Sequence, residues 1–233
     1  MRTIVIGDIH GCHKEAKILI DILIKEDKYC PDKDRLIFIG DYIDRGENPR
    51  LAVRYVRELQ EKYGNKVIAL MGNHEDMLLA YMTRHGENWL YNGYSPTLAS
   101  YRGHEEEFRD DMEWMAGLPL YYEDDDFVYV HAGVDKDIPM EEQLDDTMLW
   151  TRSAFYQNPK AYSKKVIFGH TPTLFLGNTV DPLWLNDGND IAIDTGCVFH
   201  GRLTGLIIED GQILMYYQVD SRNPGHIIRQ TVK

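Results

Sequence analysis

The sequence lacks several features that would place it in whole classes of protein. Its 233 residues include only three cysteines, Cys12, Cys30 and Cys197. This odd and widely spaced set argues against a disulfide framework, so we expect a reducing compartment, the cytoplasm. No apolar run approaches the roughly 18 to 20 residues that a transmembrane helix needs, and we expect no membrane association. Internal repeats and low-complexity segments are also absent.

Basic residues are scarce relative to acidic ones. The chain has 25 Lys and Arg against 38 Asp and Glu, which gives a formal net charge of -13. Such a charge disfavours a general nucleic-acid-binding protein, which usually carries a basic face. Acidic runs occur in the middle of the chain and predict a solvated acidic face, at Glu105–Glu107, Asp110-Asp111 and Asp124–Asp126. The apolar fraction of 43% is sufficient for a packed core.

Short apolar runs alternate with helical patterns, which predicts stacked β and α layers. The runs are Thr3–Ile6, Leu36–Ile39, Val67–Leu70, Phe127–Val130, Val166–Phe168, Ile191–Ile193, Leu203–Ile208 and Ile213–Tyr217. Helices are predicted over Lys14–Glu26 and from Pro49 to about Tyr63. A hairpin turn is predicted at Asp210-Gly211. The length fits one domain, 1–233, in which the less regular stretch 84–126 is predicted to be a helical insertion or lid.

Five of these runs are followed directly by a potential metal ligand next to glycine. The five loops are Gly7–Gly11, Gly40–Gly46, Gly72–Glu75, His131–Gly133 and Gly169–Thr171. In a layered α/β architecture, ligands gather at the carboxyl ends of strands, so these loops are predicted to converge. Each motif alone has a plainer explanation, such as a helix cap at Asn73 or a structural histidine at His131. Their recurrence at one structural position favours a shared site.

The side chains in these loops suit a particular chemistry. Carboxylate, amide and imidazole ligands together fit borderline divalent ions such as Mn²⁺, Fe²⁺ or Zn²⁺ better than calcium. Two such ions can lower the pKa of a shared water and clamp the oxygens of a displacement at phosphorus. Arg45 and Arg152 are candidates to grip the phosphate bidentately. His74 is the candidate acid for the leaving group, and Asp44 could fix its tautomer. The sequence therefore predicts a metal-dependent phosphoesterase.

The five loops resemble those of the calcineurin-like metallophosphoesterase superfamily, in particular its phosphoprotein phosphatase branch in the bacterial and phage form. The resemblance runs from about residue 3 to 208, and its further motifs are Trp89–Gly93, Leu149–Arg152 and Asp194–Gly196. It implies an α/β fold, a central β-sandwich flanked by α-helices, with a dinuclear metal site at the carboxyl ends of the strands. It also implies that Asp194 lies near that site.

The resemblance also implies roles for individual residues. Asp8 and His10 would bind the first metal, Asp41 would bridge both metals, and the second metal would be completed by Asn73, His131 and His170. Arg45 and Arg152, together with Asn73, would contact the substrate phosphate. His74 with Asp44 would protonate the departing oxygen. Mn²⁺ is the expected metal, with Fe²⁺/Fe³⁺ or Zn²⁺ as alternatives.

The substrate is predicted from one carboxylate. Glu75 after His74 is the form seen in protein phosphatases, whereas symmetrical diadenosine-tetraphosphate hydrolases tend to carry Asp there. We therefore expect a serine/threonine protein phosphatase, with phosphotyrosine as a further substrate, acting on phosphoproteins or phosphopeptides. The alternative is a hydrolase of diadenosine tetraphosphate or another small phosphoester. A catalytically inactive binding module is disfavoured because no ligand is missing.

His200 departs from the family pattern, since relatives more often carry a small residue there. We interpret it as an exposed loop histidine. The alternative is an extra hydrogen-bond donor at the mouth of the site that narrows substrate choice.

Overall fold

The computed structural model describes residues 1–27, 29–84 and 86–232. In chain order, the strands are β1 (Arg2–Ile6), β2 (Arg35–Phe38), β3 (Val67–Ala69), β4 (Tyr121–Glu123), β5 (Phe127–Val130), β6 (Lys165–Phe168), β7 (Leu183–Leu185), β8 (Asp190–Ala192), β9 (Arg202–Glu209), β10 (Gln212–Asp220) and β11 (Asn223–Thr231). The α-helices are α1 (His13–Glu26), α2 (Pro49–Tyr63), α3 (Asn73–Arg84), α4 (Ser95–Ser100), α5 (Glu105–Ala116), α6 (Asp145–Trp150), α7 (Ser153–Tyr156) and α8 (Thr173–Gly177). Short 3₁₀ helices cover Gly64–Lys66, Glu87–Tyr91, Met140–Glu142, Asn186–Gly188 and Cys197–Phe199.

Two mixed sheets form the centre of the fold. The first has the strand order β11-β10-β9-β1-β2-β3 and the second β4-β5-β6-β8-β7. Strands β1, β2 and β3 run parallel, as do β5, β6 and β8, while the remaining pairings are antiparallel. Each parallel set therefore has its carboxyl ends at one edge of its sheet, where ligand-bearing loops are expected.

The core consists of three apolar layers. Val5 and Ile37 of the first sheet pack with Tyr129 and Ile167 of the second, which fills the space between the sheets. Ile4, the neighbour of Val5, belongs to the opposite layer under α1 and α2, because successive strand residues face opposite sides. A third layer covers the outer face of the second sheet. The predicted β-sandwich flanked by helices is confirmed.

The sequence predicted most of these elements but not all of them. Each of the eight apolar runs lies on a strand, both predicted helices form, and the hairpin turn joins β9 to β10. Asp210 and Gly211 have φ angles of 50° and 71°, as a tight hairpin turn of this kind requires. Strands β4, β7 and β11 were missed. β11 pairs only with β10 and is mostly exposed, so its sequence shows no apolar alternation.

The segment predicted as a helical insertion contains the 3₁₀ helix Glu87–Tyr91, α4, α5 and β4, while His85 within it lies outside the described residues. Its role as a lid stays a prediction. The prediction of a solvated acidic face is wrong at Asp111, which is buried in α5 and accepts hydrogen bonds from Arg57 and from the Tyr101 hydroxyl. Along the described chain, we find no helix with the length and apolar character needed to cross a membrane.

One buried ion pair fastens the loop after β5 to the start of β8. Lys136 Nζ lies 2.5 Å from Asp190 Oδ2 and also donates to the carbonyl of Asn158 at 2.9 Å. Both side chains of the pair are fully buried. Removing one partner of such a pair leaves the other as an uncompensated buried charge.

We therefore expect Lys136→Met to lower the free energy of unfolding in urea by about 3–5 kcal/mol. The matched control is Lys160→Met, which breaks the exposed pair with Asp137 and should leave the unfolding midpoint unchanged. Equal midpoints for both variants would show that the buried pair does not stabilise the fold.

Candidate metal centre

The six predicted ligands lie together where the carboxyl ends of the two parallel strand sets meet. His170 follows β6, and its backbone N–H donates to Asp8 Oδ2, which follows β1, at 2.9 Å across 162 positions of sequence. His131 follows β5, and its Nδ1 lies 3.0 Å from the carbonyl of Ile39 at the end of β2. The two sheets are thus joined at the site itself, and the ligand side chains are buried there.

Two clusters of potential ligand atoms share one residue. His10, Asp41 and His74 form one cluster, and Asp8, Asp41 and His131 form the other, with the ligand atoms of each within 4.8 Å of one another. Asp41 belongs to both, which is the position that a bridging ligand needs. Burial by itself would raise the pKa of Asp41, but His131, His74 and His10 hold it well below its usual range.

Asn73, at the start of α3, completes the second cluster. Its Oδ1 lies 2.9 Å from His131 Nε2 and 2.9 Å from His170 Nδ1. The amide oxygen therefore faces the same space as the two imidazoles. The helix start positions this side chain, because Gly72 and Asn73 make the turn from β3 into α3.

Backbone carbonyls set the orientation of two histidine rings. His10 Nδ1 lies 2.8 Å from the Ile43 carbonyl, and His131 Nδ1 contacts the Ile39 carbonyl as described above. A carbonyl only accepts, so each Nδ1 carries a proton, and in the neutral ring Nε2 keeps its lone pair. Those Nε2 atoms lie 3.2 Å and 3.5 Å from the Asp41 carboxylate. Such fixed tautomers are typical of metal-binding histidines.

Buried atoms without partners show that these residues fit a metal. Among the described residues, Asp8 Oδ1 and His170 Nε2 are buried and have no hydrogen-bond partner. Burial, Asp194 and Asp41 raise the pKa of Asp8 well above its usual value. Burial, then His131 and Arg152, lower the pKa of His170 to about 2, which keeps its imidazole neutral. A divalent cation would give both atoms a partner, so the buried His/Asp clusters are consistent with a dinuclear metal site.

The loops of the site hold an unusual backbone conformation. Positive φ angles between 42° and 70° occur at five predicted site residues, His10, Asp41, Asp44, Arg45 and His170. For residues other than glycine this costs roughly 1–3 kcal/mol each and persists only where the surroundings enforce it. One such restraint is the Asp41 carbonyl, which accepts from the N–H groups of Ile9 and His10 at 3.1 and 2.8 Å. The ligand loops after β1 and β2 therefore fix each other.

Glycines give the carboxylates room behind the site. A Cβ at Gly169 would collide with Asp8 Oδ1, and one at Gly72 would collide with Asp41 Oδ1. Both acidic side chains therefore rest directly against backbone. This explains why glycine precedes Asn73 and His170 in their motifs.

Glu75, from which the sequence predicted the substrate class, lies behind the ligand loops. It is fully buried, and its carboxylate accepts from the backbone N–H groups of Asp41 (2.9 Å), Tyr42 (2.8 Å), Ile43 (3.2 Å) and Gly72 (3.0 Å). Burial and then Asp41 raise its pKa to about 8, while the N–H donors favour its charged form. Glu75 therefore holds the loop that carries Asp41.

His74 lies in the first cluster, and its ring is held by a buried carboxylate. Its Nδ1 lies 2.6 Å from Asp44 Oδ2. Asp44 also accepts from Trp89 Nε1 at 2.9 Å and from Thr97 Oγ1 at 2.6 Å. Burial lowers the pKa of His74, and Asp41 and Asp44 oppose that shift. Sequence reasoning missed both supporting residues: the motif Trp89–Gly93 was a signal for the first, and nothing marked Thr97.

The remaining predicted residues lie at the rim or just behind the ligands. Arg45 Nη1 lies 2.7 Å from His10 Nε2, and Arg152 Nη1 donates to Thr171 Oγ1 at 2.9 Å, next to His170. Arg152 itself is exposed. Asp194, after β8, is buried, and its burial raises its pKa to about 6. The structure thus brings all predicted site residues into one region, with the two arginines near different ligand loops.

The fold and this site define a calcineurin-like phosphoesterase. The profile of that family, described as calcineurin-like phosphoesterase, matches residues 1–201, and the chain belongs to it. The chain is 30% identical to the asymmetrical bis(5′-nucleosyl)-tetraphosphatase PrpE of Geobacillus thermodenitrificans, over 88% of this chain and 90% of that protein. It is 27% identical to the symmetrical bis(5′-nucleosyl)-tetraphosphatase of Glaesserella parasuis, over 91% of this chain and 97% of that protein.

Solved structures show the same fold at lower identity. The cold-active protein-tyrosine phosphatase of a psychrophilic Shewanella superposes with a TM-score of 0.66 and 17% identity, covering 100% of this chain and 80% of that one. At this identity the likeness speaks for the fold alone. The predicted superfamily is confirmed. The similar curated proteins named above are nucleosyl tetraphosphatases.

The position of Glu75 yields a stability prediction. Glu75→Gln turns one acceptor oxygen into an amide group that faces backbone N–H donors, so buried donors lose their partner. We expect the free energy of unfolding in urea to fall by on the order of 3 kcal/mol. Glu47→Gln, an exposed change in the loop that Glu75 holds, should leave the free energy of unfolding unchanged. An unchanged stability with impaired substrate binding in Glu75→Gln would instead place Glu75 in the substrate site.

Proposed function

We propose that this chain is a dinuclear metal-dependent hydrolase of dinucleoside polyphosphates such as diadenosine tetraphosphate. The observation that carries the proposal is its similarity, over about nine-tenths of its length, to bis(5′-nucleosyl)-tetraphosphatases. Both an asymmetrical and a symmetrical type are among these relatives, so the proposal covers the substrate class and not the bond that is cleaved. The protein phosphatase predicted from the sequence is the competing hypothesis.

The proposal assigns the metals to the buried clusters. Asp8 and His10 would hold one ion, Asp41 would bridge, and the second ion would be held by Asn73, His131 and His170. Mn²⁺ is the expected ion, with Fe²⁺/Fe³⁺ or Zn²⁺ as alternatives. Bound there, the ions would supply Lewis acidity and lower the pKa of a water.

The chain's own cations would hold the substrate. Arg45 and Arg152, with Asn73, are assigned to the phosphate, because a guanidinium fork matches phosphate oxygens bidentately. The two arginines lie near different ligand loops, those of His10 and His170. In a chain of net charge -13, such local cations are needed to attract a polyphosphate.

His74 would deliver a proton to the departing oxygen. Asp44 accepts from Nδ1 and stabilises the charged imidazole, which leaves Nε2 as the atom that can give up its proton. Trp89 and Thr97 fix Asp44 in turn, so this pair is positioned by the segment 84–126. That the segment 84–126 acts as a lid, and that the chain forms one domain, remain predictions from the sequence. The cytoplasmic location also remains a prediction.

A variant of His74 separates proton transfer from metal binding. His74→Asn should retain both metals but lose turnover of alkyl phosphates by roughly 10²–10⁴-fold, as is typical of a lost general acid. The loss should be much smaller for p-nitrophenyl phosphate, whose leaving group needs little protonation. Kinetics on both substrates and metal analysis of the purified variant measure this. If the variant loses metal stoichiometrically, His74 is a ligand and not the acid.

The proposed function is tested by comparing substrates on one preparation. We expect the Mn²⁺-loaded enzyme to hydrolyse diadenosine tetraphosphate with a kcat/KM at least about tenfold above that for a phosphoserine peptide. Chelation should abolish both activities, and Mn²⁺ should restore them better than Mg²⁺, which suits imidazole ligands poorly. Chromatography of the products would show either two ADP or ATP with AMP. A higher kcat/KM for the phosphopeptide would overturn the proposal in favour of a protein phosphatase.

A further inference from the structure

A cleft of about 590 Å³ adjoins the candidate metal centre. Its walls are Gly11–Glu15, Arg45–Asn48, Val198, His200, Ser221 and Pro224, and we call it the Arg45 cleft. Its volume is within the range of about 300–1,000 Å³ that is usual for small-molecule sites. None of the roles assigned above uses the walls of this cleft other than Arg45.

Arg45 connects the cleft to the metal centre. One guanidinium nitrogen lies 2.7 Å from His10 Nε2, and the same side chain lines the cleft. A ligand with one phosphate at the centre would therefore extend past Arg45 into the cleft. A phosphate ester without a further group would leave the cleft unused.

The floor of the cleft is suited to anionic and polar groups. The first turn of the 14-residue helix α1 and the residues preceding the 15-residue helix α2 both line it, and neither helix has a side-chain cap. The positive ends of both helix dipoles favour phosphate, whereas Glu15 and Glu47 in the same lining add negative charge. Lys14, which is exposed in α1, adds a full positive charge beside Arg45.

The rim offers contacts that a nucleoside can use. The Phe199 ring is 42% exposed, and the Arg45 guanidinium carbon lies over it at 5.4 Å from the ring centroid, so a partly exposed aromatic ring lies next to Arg45. His200, next in sequence, lines the cleft with a φ of 64°. Aromatic faces stack on bases, and an imidazole can hydrogen-bond to a ribose or base edge. Ser221, on the opposite wall, adds a hydroxyl.

We propose that the Arg45 cleft binds one nucleoside and the adjoining phosphate of a dinucleoside polyphosphate, and that Lys14 and His200 help to select this substrate. This inference rests on the proposed function and adds the location of its substrate specificity. Of the two interpretations that the sequence allowed for His200, this proposal adopts the second, a hydrogen-bond donor at the mouth of the site. The buried centre treats every phosphoester alike, whereas the cleft distinguishes a nucleotide from a plain phosphate.

The test compares two competitive inhibitors of p-nitrophenyl phosphate hydrolysis, ADP and inorganic phosphate. In His200→Gly and in Lys14→Ala, the ratio of the inhibition constant of ADP to that of phosphate should rise about three- to tenfold, as expected for one lost polar contact. Glycine suits the positive φ of position 200, so the first change removes the side chain without backbone strain. Calorimetric titration with ADP should show the same loss of affinity without turnover.

Lys17→Ala is the matched control, because Lys17 is also exposed in α1 and does not line the cleft. It should leave the inhibition ratio unchanged. An unchanged ratio in both cleft variants, or an equal rise in all three variants, would overturn the inference.

The test keeps the two proposals apart. If the enzyme hydrolyses diadenosine tetraphosphate while the cleft variants keep their ADP inhibition, the proposed function stands and the cleft assignment is wrong. If the variants lose ADP inhibition but the dinucleotide is not hydrolysed, the cleft binds nucleotides and the tetraphosphatase function is wrong.

Discussion

The structure depends on a concentration of buried carboxylates at the junction of its two sheets. Asp8, Asp41, Asp44, Glu75 and Asp194 are all at most 4% exposed. A buried carboxylate is tolerated only when hydrogen-bond donors or cations compensate its charge. The strand-end loops, the positive φ angles and the placement of the helix starts all serve that compensation. The rest of the fold holds these carboxylates close to their hydrogen-bond donors and to the neighbouring cations.

The charges of these carboxylates are compensated in two different ways. The difference distinguishes the carboxylates that support the loops from those that suit metal ions. Glu75 accepts backbone N–H groups and Asp44 accepts Trp89, Thr97 and His74, so the protein itself satisfies both. Asp8 keeps a buried oxygen without a partner among the described residues, and Asp41 is shared by two ligand clusters. The incompletely satisfied positions are those that suit metal ions. This is why the centre fits phosphoester chemistry without identifying a substrate.

Substrate choice is then a property of the rim. Residues that could contact a nucleoside surround the buried clusters, among them Arg45, Arg152, Phe199 and His200. The family resemblance rests on the buried ligand loops. It therefore identifies the type of reaction better than it identifies the substrate. Glu75 illustrates this point, because its side chain is fully buried and cannot contact a substrate bound at the surface.

The sequence by itself determined the eight strands that carry apolar runs, the loops that follow them and the ligand-type side chains in five of those loops. These follow from local patterns: apolar runs of strand length, glycine at sharp turns and ligand residues directly after them. Only the tertiary structure decided that Glu75 supports Asp41, that Thr97 supports Asp44, that Asp111 is buried, and that a cleft opens beside Arg45. These features depend on contacts between residues that are far apart in the chain. Thr97 and Asp44, for example, are separated by 53 positions. No local pattern records such contacts, because they arise only when the two sheets and their loops pack together.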